Sequence, residues 1–154
     1  MDQSSIVFIS IISAAGLAAL VLAAFFVARA WKHRRRSLEM DDMEGHEVEY
    51  FCADLLRDKG FLDVEVTRGS GDFGVDILAE KDGVTYAVQC KCYNAPIGIK
   101  AVQEIYAGRD YYDRMVGVVM MNQYFTSAAV DAAKKLKILL WDRGYLESMM
   151  EELD

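Results

Sequence analysis

The hydropathy pattern begins with a run that does not alternate at all. From Ile6 to Ala28 there are 23 consecutive uncharged residues, mostly Ile, Leu, Val, Phe and Ala. As a helix, such a run is about 35 Å long, enough to cross a hydrocarbon core of about 30 Å with some tilt. Lipid offers no partners to backbone groups, so helix is the expected form. Ser37 to Glu44 is acidic and without period. From Gly45 the pattern sharpens. Val48, Phe51, Cys52, Leu55 and Leu56 lie on one stripe of an amphipathic helix that Gly60 ends. Phe61 to Thr67 alternates as a strand does. A glycine-rich loop, Gly69 to Gly74, leads into two strands, Val75 to Glu80 and Thr85 to Lys91, joined at Lys81-Asp82-Gly83. An Asp-Gly pair between β-type runs signals a hairpin. Beyond the only proline, Pro96, the pattern predicts a helix from Ile99 to Asp113 and a strand from Met115 to Met121, ending at Asn122. A helix capped by Thr126 and ending at Leu136 follows, then a strand from Ile138 to Trp141 and a last helix from Tyr145 to Leu153. The order α-β-β-β-α-β-α-β-α predicts an α/β domain, one mixed sheet flanked by helices, preceded by one transmembrane helix.

Charge orients this arrangement. Only Asp2 precedes the apolar run, whereas Arg29, Lys32, Arg34, Arg35 and Arg36 follow it. A cleaved signal peptide carries its positives first and has a shorter core, so a retained span is expected. Positive charge marks the cytoplasmic side: the N-terminus is expected outside and the C-terminal domain in the cytoplasm, on a single-pass protein of the cell membrane. Trp31 suits the interface, and the basic cluster serves either as a stop-transfer signal or as a contact to anionic headgroups. The expected division is 1–30 for the N-terminal segment and span, 31–44 for a linker, basic then acidic, and 45–154 for the domain. The first 36 residues hold five of the 17 basic residues and one of the 24 acidic ones, which leaves 12 against 23 and a net charge of −11 for the rest. Phosphate binding normally draws on basic groups, so a nucleic-acid role requires the few available to cluster, or a protein partner to help. Cys52, Cys90 and Cys92 are too few and odd in number for a disulfide framework. Cys90-x-Cys92 without a nearby His reads as ordinary strand.

The candidate chemistry lies on the hairpin. A two-residue Asp82-Gly83 turn sets Lys81 opposite Val84, and counting outward sets Asp76 opposite Gln89. Opposed residues share a face with Cβ atoms about 5 Å apart. Lys91 joins them by the strand's period of two. The opposite face then collects Val75, Ile77, Ala79, Tyr86, Val88 and Cys90 as a core face. A carboxylate, an amide and an ammonium so grouped suit phosphodiester hydrolysis. Asp76 and the Gln89 carbonyl are hard oxygen ligands for Mg²⁺. Lys91 supplies positive charge where the transition state gains negative charge.

Gly45-His-Glu-Val-Glu-Tyr-Phe, Ser70-Gly-Asp-Phe-Gly-Val-Asp76 and Ala87-Val-Gln89-Cys-Lys91 resemble the catalytic domain of Mrr-type restriction endonucleases. These belong to the PD-(D/E)xK nuclease superfamily, in its variant with Gln at the second acidic position. Val102-Gln-Glu and Phe125-Thr126, preceded by Asn122, are similar to later segments of the same family, so the resemblance spans residues 45 to 145. It implies a restriction-endonuclease-like fold and a Mg²⁺-dependent DNA endonuclease, with Mn²⁺ as a substitute. Asp76, Gln89 and the Cys90 carbonyl would be metal ligands, Lys91 the catalytic lysine, and Glu49 a contact to water of the metal's shell. The helical stripe itself does not separate Glu49 from Glu47. Gln103 reads equally as a substrate contact or a solvated residue. Phe73 stands where the family has a second glycine, and Cys92 where a basic residue is common. The expected function is a membrane-anchored endonuclease hydrolysing DNA phosphodiesters, acting in defence against foreign DNA. The alternatives are a nucleic-acid-binding module without turnover and a membrane scaffold for a protein partner. The expected partners are DNA and the lipid bilayer. Ala14 with Ala18, or Ala15 with Ala19, would suit helix pairing into a homodimer, although alanine is common in any membrane helix.

Overall fold

The computed structural model describes residues 16–28, 31, 40–41, 43, 45–68, 71 and 73–151. The chain forms two compact units, Met1–Arg36 and Ser37–Asp154. In the first, residues 16–28 are helical, with Leu17, Leu20, Val21, Leu22, Phe25, Phe26 and Val27 all exposed. Residues 6–15 of the expected span, including Ala14 and Ala15, lie outside the described residues, as do Arg29, Lys32 and Arg34 to Arg36. Among the described residues no helix is long and apolar enough to cross a membrane.

The second unit is built on a five-stranded sheet in the order β1-β2-β3-β4-β5, with β1 Leu62–Val66, β2 Ile77–Lys81, β3 Val84–Lys91, β4 Val116–Met121 and β5 Ile138–Trp141. The first three strands form an antiparallel meander and the last two run parallel to β3, so the sheet is mixed as expected. Helices are α1 His46–Asp58, α2 Ile99–Tyr111, α3 Ser127–Leu136 and α4 Arg143–Glu151. Helices α2 and α3 carry the chain back between parallel strands, which a tight turn cannot do. Thr126 caps α3 by accepting from the Ala129 N–H at 3.3 Å. Asp82 and Gly83 both have positive φ, 54° and 76°, the pairing of a two-residue I′ turn. Lys81 accordingly pairs with Val84 and Ile77 with Val88.

Both faces of the sheet are covered, which corrects the expectation of one apolar and one polar face. On one side Val48, Cys52, Leu55 and Leu56 of α1 and Leu146, Met149 and Met150 of α4 pack with Ile77, Val88, Cys90, Val118 and Met120. On the other, Ala101, Val102 and Ile105 of α2 and Ala129 and Ala133 of α3 pack with Ala87, Val119 and Ile138. The continuous apolar run of β4 is the pattern of a strand buried on both sides. Val75 also departs from expectation. It precedes β2 and belongs to the α2–α3 core rather than sharing the face of Ile77. The last helix starts two residues earlier than its apolar pattern implies, at Arg143, whose side chain is tied into the structure.

That tie explains how Met40 and Asp41, in the stretch read as linker, join this unit. Met40 is buried in the α1–α4 core. Asp41 accepts two bonds from Arg143 Nη1, at 2.8 and 3.0 Å, and one from Nη2 at 3.0 Å. Asn122 Nδ2 donates to it at 2.9 Å, while Asn122 Oδ1 accepts from the Tyr93 N–H. The Arg143 guanidinium holds the Asp41 carboxyl below its ordinary 3.8. A depressed folded-state pKa stabilises at pH above the ordinary value, and that stability is lost as pH falls through the folded value. Asp41→Asn is therefore expected to lower the thermal midpoint at pH 7. The loss should shrink below about pH 4, in a melting series over pH.

Gly108 marks the tightest contact near the glycine-rich loop. A Cβ there would lie 2.5 Å from Val75 Cγ2 and 2.7 Å from the Phe73 carbonyl oxygen. Overpacking of this kind costs about 1–3 kcal/mol. Gly108→Ala is expected to lower stability by that order in a denaturant titration, by pushing α2 off the segment that leads to Asp76.

Candidate active site

Asp76 sits where the β2–β3 ladder ends. Its backbone N–H donates to the Val88 carbonyl at 2.8 Å, although Val88 is the ladder partner of Ile77, so two residues oppose one at this point. Its backbone carbonyl accepts from the Thr67 N–H at 2.9 Å, and Thr67 Oγ1 donates to the Val75 carbonyl at 2.6 Å. The segment is thus pinned on both sides. The carboxylate Oδ2 accepts from the Cys90 N–H at 2.7 Å, taking the place of the next ladder carbonyl. Carbonyls two residues apart on a strand face the same neighbour. Since the Val88 carbonyl faces Asp76, the Cys90 carbonyl does too, whereas the Lys91 carbonyl accepts from Asn122 of the next strand's end.

One cavity of about 240 Å³ is lined by Gly45, Val48, Glu49, Asp76, Cys90, Lys91, Cys92 and Tyr93. Four of the five expected site residues therefore meet there: Glu49, Asp76, Cys90 and Lys91. The structure separates Glu49 from Glu47. Glu49 faces this cavity with 16% of its side chain exposed, while Glu47 is on the exposed side of the helix. Gln89, the fifth, does not line it and is 1% exposed. Its Nε2 donates to Glu104 Oε2 at 3.1 Å, and the same oxygen is 4.0 Å from Lys91 Nζ. A second cavity, of about 420 Å³, adjoins through Lys91 and is lined also by Tyr93, Pro96, Lys100 and Glu104.

Two participants were not apparent in the sequence. His46 Nδ1 lies 2.8 Å from Glu49 Oε2. The Glu49 hydrogen bond, then its charge, raise the imidazole pKa above its ordinary value, and Asp76 adds to the rise. The i, i+3 spacing of His46 and Glu49 was the available signal. Glu104 was masked by its neighbour Gln103, which is exposed on α2 and faces no part of the site. Gly74 supplies the reason for a glycine before the aspartate. With φ of 78°, it passes so close that a Cβ would be 3.0 Å from Gln89 Nε2 and 3.1 Å from Glu104 Cβ.

The two departures are accommodated. Phe73 stacks on Tyr111, ring centroids 3.9 Å apart, and does not line the cavity. The Cys92 thiol donates to the Met40 carbonyl at 3.3 Å. The hydrogen bond with Cys52, then burial, raise the Cys90 thiol well above its ordinary pKa. A protonated thiol is a poor metal ligand, so the group Cys90 could offer a cation is its carbonyl.

A cation at this point would need oxygen donors, and the residues fit one. Gln89 Oε1 is buried with no hydrogen-bond partner among the described residues. An orphaned acceptor of that kind costs free energy unless something fills it. This oxygen, the Asp76 carboxylate and the Cys90 carbonyl are each donors of the kind Mg²⁺ and Mn²⁺ take. Among the described residues no three His, Cys, Asp or Glu side chains form a metal cluster of their own.

A mixed five-stranded sheet with carboxylate, amide and ammonium at the end of its central hairpin defines the restriction-endonuclease-like class. The chain belongs to the restriction endonuclease family Mrr_cat, which matches residues 40–150. Among solved structures it is similar to the DNA modification-dependent restriction endonuclease AspBHI, at 18% identity and a TM-score of 0.59, covering 79% of this chain and 35% of that one. It is also similar to MspJI restriction endonuclease in complex with a 27-mer oligonucleotide, at 19% identity and a TM-score of 0.56, covering 80% and 31%. A third likeness, at 24% identity and a TM-score of 0.53, is to AF1548, a protein of unknown function, covering 64% and 62%. At these identities the structural likenesses establish the fold. The chain spans about a third of each of the two restriction enzymes and under two thirds of AF1548. No curated protein sequence matches it significantly.

Proposed function

We propose that this chain is a membrane-anchored, divalent-metal-dependent endonuclease that hydrolyses DNA phosphodiesters. The observation that carries this reading is the meeting of Glu49, Asp76, Cys90 and Lys91 around one cavity, next in the chain to the buried Gln89 with its orphaned oxygen. Family membership supports hydrolytic nuclease chemistry, and the oligonucleotide bound to MspJI supports DNA as the substrate class.

Asp76, Gln89 and the Cys90 carbonyl would hold Mg²⁺ or Mn²⁺. The cation supplies Lewis acidity at the phosphate and lowers the pKa of a coordinated water. Lys91 then sets a positive charge beside the phosphate oxygens, where negative charge grows in the transition state. Glu49 orients the attacking water by accepting a hydrogen bond from it, and His46 holds the Glu49 carboxylate in place. Helix α1 thus contributes one wall of the site and β2–β3 the other.

Anchoring rests on the sequence: the uncharged run from Ile6 to Ala28 and the positives that follow it set a single span with the nuclease domain on the cytoplasmic side. A tether compensates for the domain's scarcity of basic groups, because it concentrates the enzyme where DNA passes the envelope rather than relying on affinity for bulk DNA. Defence against entering foreign DNA follows from that location. The test is Mg²⁺-dependent cleavage of plasmid DNA by the full-length chain in mild detergent, with EDTA abolishing it. Salt-sensitive DNA binding without any product would favour a binding module instead. Absence of DNA binding at low salt would favour a scaffold for a protein.

A further inference from the structure

We propose that Glu104 is a positioning residue that fixes which end of the Gln89 side-chain amide meets the metal. The inference rests on the metal-site reading above and adds a residue to it. An amide has a donor end and an acceptor end of nearly equal size, so apolar packing scarcely distinguishes its two orientations. An ionised carboxylate does, because it can only accept. Glu104 Oε2 accepts from Gln89 Nε2 at 3.1 Å. The NH₂ group must therefore point at Glu104, and Oε1 is left for a cation. In the flipped orientation the partly positive NH₂ would face the metal and Oε1 would face a carboxylate, both repulsive.

The surroundings hold this pair in register. Gln89 is 1% exposed. Gly74 closes over both partners, since a Cβ there would crowd Gln89 Nε2 at 3.0 Å and Glu104 Cβ at 3.1 Å. Glu104 is itself oriented from outside: its Oε1 lies 3.5 Å from Lys100 Nζ, one helical turn away on α2. Its neighbours Ala101 and Ile105 are buried against the sheet and fix that face of the helix. Lys91 Nζ is 4.0 Å from Glu104 Oε2, so the same oxygen also anchors the lysine beside the amide.

The experiment measures Mn²⁺ affinity of the full-length chain in mild detergent by titration calorimetry, alongside metal-free thermal melts. Glu104→Leu keeps length and helix preference but removes the acceptor. It is expected to weaken Mn²⁺ binding about 10–100-fold, as loss of an outer-shell partner does. Glu104→Gln, whose amide can accept from Gln89 Nε2 but can also turn and donate to Oε1, is expected to fall between the wild type and Glu104→Leu. Glu104→Ala serves as a second variant lacking an acceptor should the leucine destabilise the fold. Wild-type affinity in both the leucine and alanine variants would overturn the proposal. Equal loss in Glu104→Gln and Glu104→Leu would also overturn it, because charge rather than amide orientation would then be what Glu104 supplies. The underlying reading fails separately. Mn²⁺ binding that Asp76→Asn leaves unchanged would sink the metal site itself, and this proposal with it.

Discussion

Asp76→Asn in the full-length chain is expected to reduce Mg²⁺-dependent DNA cleavage to background while leaving the fold intact. The carboxylate has two duties that the usual alanine replacement would confuse. Its Oδ2 accepts from the Cys90 N–H at 2.7 Å, a structural bond at the point where the strands separate. Its charge is the anionic part of a donor set whose other members, the Gln89 and Cys90 oxygens, are neutral. Alanine removes both and leaves a backbone donor without its partner, at a cost of about 1–3 kcal/mol. Asparagine keeps the volume and an acceptor oxygen for Cys90, and removes the charge alone. Cleavage of a fluorescent duplex and a thermal melt on the same preparation separate the two effects. Retained cleavage would remove Asp76 from the chemistry. A collapse of the melt would mean that its role is structural.

Lys91→Met is expected to lower kcat about 10²–10³-fold, the usual scale for losing one donor aimed at developing charge. Affinity for Mn²⁺ should change little, since a lysine ammonium has no lone pair to offer a cation. Methionine matches the stem of the lysine, which is three-quarters buried with 25% of its side chain exposed, so packing is largely preserved. The informative contrast is between the two variants. Asp76→Asn loses metal and turnover together, whereas Lys91→Met loses turnover alone. Equal loss of metal in both would mean that the lysine acts by shaping the site rather than by meeting the phosphate.

Much of this geometry was legible in the chain because it is local. An Asp-Gly turn admits few registers, and the pairing of Lys81 with Val84 carries through to Ile77 with Val88, one residue short of Asp76 and Gln89. What the sequence could not convey was tertiary. Alternation along β3 implied one wet face, but helices cover both, because Ala87 and Val119 pack beneath α2 and α3 as firmly as Val88 and Val118 do beneath α1 and α4. Strand period puts Val75 in the wrong core, because it does not extend to residues that precede the strand. Glu49 and Glu47 both flank the apolar stripe, so only the packed helix distinguishes them. Glu104 lies in the family-like segment Val102-Gln-Glu, but nothing local gives it a role, since its contacts are with β3, 15 residues earlier in the chain. The salt bridge between Asp41 and Arg143 spans 102 residues and has no local trace at all.

The metal is the centre of the account, and its position can be observed. Crystals of the full-length chain soaked in Mn²⁺ would be measured for anomalous scattering. A peak is expected within direct coordination distance of an Asp76 carboxylate oxygen, Gln89 Oε1 and the Cys90 carbonyl oxygen. Full occupancy elsewhere with no peak among these three oxygens would contradict it.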